Sequence, residues 1–273
     1  QCWGSNAASK LGFGGGGSTP TELDLGTGRT AVSSAIGFYT SCSILDDGSV
    51  KCWGQANGGS SGSTISIGTG RVAVAVAVGF DHACAILDDA SLICWGGNSA
   101  GQLGDGTTTD SSTPASVALG AGRTAAAIAA GQAHTCAILD NASLMCWGSN
   151  SHGQLGDGTT TDSSSPASVD VGSGRYAVAL SGGRYHSCAI LDDGSVKCWG
   201  YNGYGNLGIG SGSSTSSPSS NVDLGTGRTA VSIATGHYHT CVVLDDASLK
   251  CWGYGSNGEL GDGSTSGSNT PVS

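Results

Sequence analysis

The residues with the most chemistry to offer in this 273-residue chain are its 11 cysteines. Cys42 and Cys52, Cys84 and Cys94, Cys136 and Cys146, Cys188 and Cys198, and Cys241 and Cys251 share one spacing of ten. Between each pair lies Ile/Val-Leu-Asp-Asp/Asn-Gly/Ala-Ser-Val/Leu, which reads as strand, tight turn, strand. Folding the first of these hairpins about Asp47 sets Cys42 opposite Cys52 and Ile44 opposite Val50. Residues directly opposed in a non-hydrogen-bonded pair lie close enough for a cross-strand disulfide. Zinc ligation, the competing chemistry, uses short, converging C-x(2–4)-C pairs, whereas these pairs are identical and evenly spread. Five hairpin disulfides imply an oxidising compartment, and each should stabilise by about 2–3 kcal/mol in the chain-entropy model. Such a bridge staples its own hairpin and is not expected to join one hairpin to the next. Cys2 has no partner upstream and is expected to be unpaired or intermolecular.

Other candidates weigh less. His82, His134, His186 and His239 recur at one position, where the first unit has Thr40. A ring of imidazoles could bind metal, but a hydrogen bond within each local unit is the simpler expectation. Asp105 and Asp110, and likewise Asp157 and Asp162, set two carboxylates among threonines; calcium loops usually gather more. The pairs Asp46/Asp47, Asp88/Asp89, Asp192/Asp193 and Asp245/Asp246 suit hairpin turns and, being repeated, do not make a catalytic dyad. No Ser/His/Asp or Cys/His set has singular residues, so no catalytic residue, metal site or cofactor is expected. Non-repetitive aromatics occur at Tyr201, Tyr204 and Tyr254, where they could stack on sugar rings or on a protein partner. Asn141-Ala142-Ser143 is an N-glycosylation sequon on one hairpin tip. The loops Thr107 to Thr113, Thr159 to Ser165 and Ser211 to Ser217 could carry O-linked sugars.

These residues sit on a repeat. Cys-Trp-Gly occurs six times, with successive tryptophans 50, 42, 52, 52 and 53 residues apart. One unit reads "CWGSNSHGQLGDGTTTDSSSPASVDVGSGRYAVALSGGRYHSCAILDDGSVK", from Cys146 to Lys197. It holds four strand candidates punctuated by glycines and Ser/Thr clusters, without helical periodicity. The 42-residue unit lacks the Gly-Gln-Leu-Gly-Asp-Gly stretch. Four short strands per unit of about 50 residues make a blade, and repeated blades make an all-β propeller. Trp and Leu, from the third strand and the Gly-x-Leu-Gly turn, are expected to pack between blades. The expected division is a half blade at 1–25 and full blades at 26–67, 68–119, 120–171, 172–224 and 225–273. Five complete blades plus an outer half-blade imply six or seven when complete. The half-blade marks an open seam, to be closed by segments beyond a truncated end or by a neighbouring chain.

Gly-x-x-His-Ser/Thr-Cys-Ala-Ile-Leu, Asp-Asp-Gly-Ser-Val-x-Cys-Trp-Gly and Asn-x-x-Gly-Gln-Leu-Gly-Asp-Gly resemble the repeat of the regulator of chromosome condensation family over essentially the whole chain. The resemblance implies a propeller, usually seven-bladed. It also brings diverse functions: nucleotide exchange on a small GTPase with chromatin binding, enzyme inhibition, and regulatory modules, so fold does not settle function.

Composition narrows the choice. The net charge is −10, which disfavours DNA, RNA and anionic membranes. The longest apolar stretch, near Val72 to Val78, is too short to span a bilayer. There is no signal peptide and no initiator methionine, which reads as a processed or partial chain. The expected protein is therefore a secreted or cell-surface propeller without catalytic activity. Its expected role is structural, adhesive or protein-binding, by protein partner or self-assembly. The alternatives are a lectin-like carbohydrate binder and a small-GTPase regulator or exchange factor.

Overall fold

The computed structural model describes residues 2–4, 17–54 and 59–273, and among these the only regular elements are strands. β1 (Cys2–Gly4) pairs with β2 (Gly17–Thr21) in a two-stranded sheet. Four-stranded antiparallel blades follow, the first from β3 (Ala31–Ile36), β4 (Thr40–Leu45), β5 (Val50–Gly54) and β6 (Gly59–Ile65). The second holds β7 (Ala73–Val78), β8 (His82–Leu87), β9 (Leu92–Gly96) and β10 (Ser111–Ser116). The third holds β11 (Ala125–Ala130), β12 (His134–Leu139), β13 (Leu144–Gly148) and β14 (Ser163–Val169). In the fourth, β15 (Ala177–Gly182), β16 (His186–Leu191) and β17 (Val196–Gly200) form a three-stranded sheet. The fifth holds β18 (Ala230–Thr235), β19 (His239–Leu244), β20 (Leu249–Gly253) and β21 (Ser268–Val272). The sequence expectation about the Cys2 thiol concerns a side chain outside the described ones.

The fourth blade departs from the four-strand expectation for a simple reason. Its outer segment has Ser219-Ser220-Asn221 between Pro218 and Val222, where β14 has only Ala167-Ser168 between Pro166 and Val169. One extra residue turns a strand face over and breaks the ladder. Only isolated bridges remain, Lys197 to Asn221 and Gly200 to Thr215.

The hairpin register follows from the spacing. Cys42 faces Cys52 and Ile44 faces Val50, and the same pairing recurs in every blade. Disulfides join Cys42–Cys52, Cys84–Cys94, Cys136–Cys146, Cys188–Cys198 and Cys241–Cys251, with Cα atoms 4.0–4.1 Å apart. The hairpin tip needs a left-handed residue. Gly48 and Gly194 supply it freely, whereas Ala90, Ala142 and Ala247 adopt it at φ of 61–65°.

The first strand of each blade packs against the first and second strands of its neighbour, so the blades fan about a common axis. The cores lie between blades. One cluster gathers Cys84, Cys94 and Leu103 of the second blade with Trp147 of the third. Cys136, Cys146 and Leu155 meet Trp199, and Cys188, Cys198 and Leu207 meet Trp252, in the next two. Each disulfide is thus covalently local, yet its sulfurs are part of the apolar surface that the next blade's indole covers. This revises the expectation that the bridges do nothing to join blades. Burial of a tryptophan is among the largest single contributions to such a core, about 2–3 kcal/mol or more.

Candidate functional site

The repeated histidines hold blades together. His82 Nε2 lies 3.0 Å from Thr135 Oγ1 of the next blade, and the Thr135 hydroxyl donates to the Gln102 carbonyl at 3.0 Å. The same carbonyl accepts the Trp147 indole N–H at 2.9 Å. A hydroxyl has one proton, so with it spent on the carbonyl the oxygen accepts from His82 Nε2–H. The node recurs as His134, Ser187, Gln154 and Trp199, and again as His186, Thr240, Asn206 and Trp252. These bonds run between blades, not within one as the sequence suggested. Glycine three residues upstream makes the geometry feasible: a Cβ on Gly79 would overlap the His82 imidazole.

In each of these imidazoles Nδ1 is buried without a partner among the described residues. Burial holds His82 and His186 at a pKa of about 3 and His134 at about 4, so all three stay neutral. Among the described residues no group of three or more His, Cys, Asp or Glu is placed to hold a metal ion.

The paired aspartates are also structural. Arg29 pairs with Asp46 and Asp47, Arg71 with Asp88 and Asp89, Arg175 with Asp192 and Asp193, and Arg228 with Asp245 and Asp246. Among the described residues Arg123 pairs with Asp140 alone, because the third blade carries Asn141. Asn141 is exposed on its hairpin tip, and its Oδ1 accepts from Ser143 N–H and O–H at 3.1 and 2.7 Å. The acidic loops are equally committed. Asp110 accepts the Asn98 backbone N–H at 2.7 Å, and Asp105 accepts from Thr107 N–H and O–H at 2.9 and 2.8 Å. Asp162 and Asp157 repeat this around Asn150 and Thr159.

At the other end of the blades, the loops between first and second strands converge on the axis. Tyr39 N–H donates to Phe80 O, Phe80 N–H to Gln132 O, and Arg184 N–H to His237 O, at 3.0–3.1 Å. Gln132 N–H reaches Gly183 and Arg184 carbonyls at 3.3 and 3.4 Å. Here the repeat stops repeating. Between the fixed Gly and His/Thr, the two residues are Phe38-Tyr39, Phe80-Asp81, Gln132-Ala133, Arg184-Tyr185 and His237-Tyr238. They surround a cavity of about 270 Å³ lined by Phe38, Phe80, Gln132, Arg184, His237 and loop glycines.

Rings cover much of this end. Phe38 stacks on Phe80 at 5.0 Å and on His237 at 5.2 Å, and Tyr39 meets Phe80 edge-on at 4.4 Å. Tyr201 and Tyr254 flank Tyr204 at 6.0 and 5.2 Å, and Tyr204 meets Tyr238 at 4.9 Å. Tyr185 and His152 extend the patch beside Tyr201. The three aromatics picked from the sequence are therefore gathered together. A second, shallower cavity of about 560 Å³ runs between Tyr204 and Tyr254 over Gly203, Gly205, Ser256, Ser268 and Asn269. Asp81, whose carboxyl packs against Gly97, has it pushed up, chiefly by burial and then by the charge of Asp110, against a Gln102 hydrogen bond that lowers it.

Sequence reasoning missed Phe38, Phe80, Gln132, Arg184, His237, Tyr185 and Tyr238. Their signal was present in the comparison of one repeat with another: variation confined to two adjacent positions inside an otherwise fixed Gly-x-x-His.

The family model described as RCC1-like domain matches residues 1–273. The chain is 31% identical over 169 residues to the ultraviolet-B receptor UVR8 of Arabidopsis thaliana, covering 62% of this chain and 38% of that receptor's length. In fold it is similar to Prp20p of Saccharomyces cerevisiae, with a TM-score of 0.86 and 21% identity over 99% of this chain and 71% of that one. It is also similar to the ectodomain of the receptor kinase ACR4 of Arabidopsis thaliana, with a TM-score of 0.54 and 22% identity over 84% and 65% of the two chains. The chain spans well under half the length of the curated relatives it matches.

Proposed function

The chain belongs to the RCC1-like domain family, and from that premise we propose that it is a non-catalytic module that docks a protein partner on its axial face. One observation carries the reading: within near-identical repeats, the side chains that vary converge on that face and are mostly aromatic. Aromatic and arginine side chains around a depression are the composition of binding hot spots. The polar groups a catalyst would use are engaged elsewhere: histidines in the blade joints, aspartates in the hairpin tips and loops. Prp20p, of like fold, binds Gsp1p and histones; the low identity and the acidic charge give no reason to carry those partners over. The disulfides favour a secreted or cell-surface location, where Asn141 would be an accessible glycosylation site.

The test is a selection of peptides from a random display library on the folded chain. Binding of the selected peptides is expected to fall at least about tenfold on Phe80→Ser or Tyr204→Ser. It should be unchanged on Tyr176→Ser, at the hairpin-tip end. Peptides indifferent to Phe80 and Tyr204 contradict the reading. The groove between Tyr204 and Tyr254, floored by glycine, serine and asparagine, favours carbohydrate as a second reading. A glycan array with Tyr201, Tyr204 and Tyr254 changed to Ala tests it; signal that survives the changes, or none at all, sinks it.

A further inference from the structure

Arg29, Arg71, Arg123, Arg175 and Arg228 all pair with aspartates at the hairpin tips. Arg184 differs. Among the described residues no carboxylate lies within ion-pair distance of it, in a chain with 20 acidic and 10 basic residues. It is held nonetheless. Nε donates to Gln132 Oε1 at 2.7 Å and Nη1 donates to the Tyr238 hydroxyl at 2.7 Å. The guanidinium carbon lies 4.9 Å from the Tyr185 ring centroid and 5.4 Å from that of Tyr238.

These bonds leave donors over. The Gln132 amide oxygen accepts from Arg184, which fixes the orientation of the amide, and its N–H pair makes no hydrogen bond among the described residues. Tyr238 accepts from Arg184, so its own O–H is likewise left to donate. Arg184 Nη2 also has no acceptor there. A fixed guanidinium with spare N–H groups matches the two oxygens of a carboxylate. Opposite these donors Phe38 and Phe80, stacked at 5.0 Å and 9° between planes, give the cavity an apolar wall beside Thr235 and His237. A phosphate would lose water against those rings without gain, whereas a carboxylate attached to a flat apolar group sets that group on them. The volume, about 270 Å³, suits one such residue and not a nucleotide.

Resting on the docking reading above, we propose that the axial cavity is a carboxylate site, anchored by Arg184, for a partner's carboxylate carried beside an aromatic ring. The probes are phenylacetate, acetyl-Gly-Gly-Phe with a free C-terminal carboxylate, and the same peptide as its C-terminal amide. Calorimetric titration of the full chain is expected to show saturable binding of the free-acid peptide, weaker by at least about tenfold for the amide. Arg184→Gln should abolish the difference between acid and amide, and Arg184→Lys should restore only part of it, because an ammonium keeps the charge without the fork. Arg175→Gln, with the same change of charge at the opposite end, should bind like the wild type. Saturable binding of phenylacetate without the peptide assigns the site to free acids and still supports a carboxylate site. Equal binding of acid and amide, no binding of any probe, or acid binding that survives Arg184→Gln overturns it. Should the probes fail while selected peptides still depend on Phe80 and Tyr204, the carboxylate inference falls and the docking reading stands; the reverse pattern separates them the other way.

Discussion

The joint between the first and second blades is built differently from the next three. At the later joints a histidine, a hydroxyl, a carbonyl and an indole form one buried node. At the first, Thr40 stands for the histidine and Ala83 for the hydroxyl. The short unit also lacks the Gly-Gln-Leu-Gly turn that supplies the carbonyl, and Trp95 Nε1 is buried without a partner among the described residues. What this joint has instead is aromatic: Phe38 and Tyr39 packed on Phe80. The node is thus present or absent as a unit. Where the turn carbonyl is absent, the histidine and hydroxyl positions are occupied by other residues as well. The aromatics at this joint also lie on the axial face, so there the same rings pack the joint and border the cavity.

Acid should separate the two kinds of joint most strongly. Each nodal histidine has a folded pKa of about 3 or 4, below its unfolded value of about 6.5. Its contribution is therefore complete above about pH 6.5 and is lost as pH falls toward 3–4. At about pH 4.5 each should have lost roughly 2–3 kcal/mol. Hydrogen exchange across that range is expected to show protection falling in β12, β16 and β19 well before β4. Uniform loss across all blades would break the distinction.

A substitution sharpens it next. His134→Ala removes a buried ring and leaves the Ser187 node short of a donor, which should cost about 3 kcal/mol. Thr40→Ala at the first joint should cost about 1 kcal/mol. Urea unfolding of the two variants measures both, and equal costs would contradict the contrast.

Trp147→Phe and Trp95→Phe remove the same atoms from the two environments. The first also removes one of the two hydrogen bonds that the Gln102 carbonyl accepts, leaving Thr135 as its donor, so it should cost about 1 kcal/mol more than the second, whose N–H lacks a partner among the described residues. Thermal unfolding of the pair reads the difference.

The smallest effect lies at the hairpin tips bordering the first joint, where Ala90 takes the position that Gly48 holds in the preceding unit. Ala90→Gly relieves a left-handed alanine at φ 61° but loosens the unfolded chain, for a net gain of up to about 1 kcal/mol. A lowered melting temperature would mean that the tip geometry is set by contacts and not by the residue.

The blades and their hairpins were legible because they depend on spacing: ten residues between cysteines and a turn between them dictate which residues face each other. The partners of His82, His134 and His186 were not, because they lie more than 50 residues away on the next blade and only the packing of blades brings them together. The missing fourth strand at Ser211–Asn221 hung on a single extra residue, which a pattern of Ser, Thr and Pro does not reveal. Tyr201, Tyr204 and Tyr254 stood out as singular letters. Arg184 did not, since one arginine more among regularly spaced ones attracts no notice until its lack of a carboxylate is seen.

Under the proposed docking function, repeated side chains hold the propeller and varied ones on the axial face recognise a partner. Titration of a display-selected peptide onto Tyr204→Ser and onto Arg123→Gln tests it in one measurement. Binding is expected to drop at least about tenfold for Tyr204→Ser, which changes a varied residue. It should stay at the wild-type value for Arg123→Gln, which changes a repeated one. Equal binding by both variants, or a loss confined to Arg123→Gln, would contradict the account.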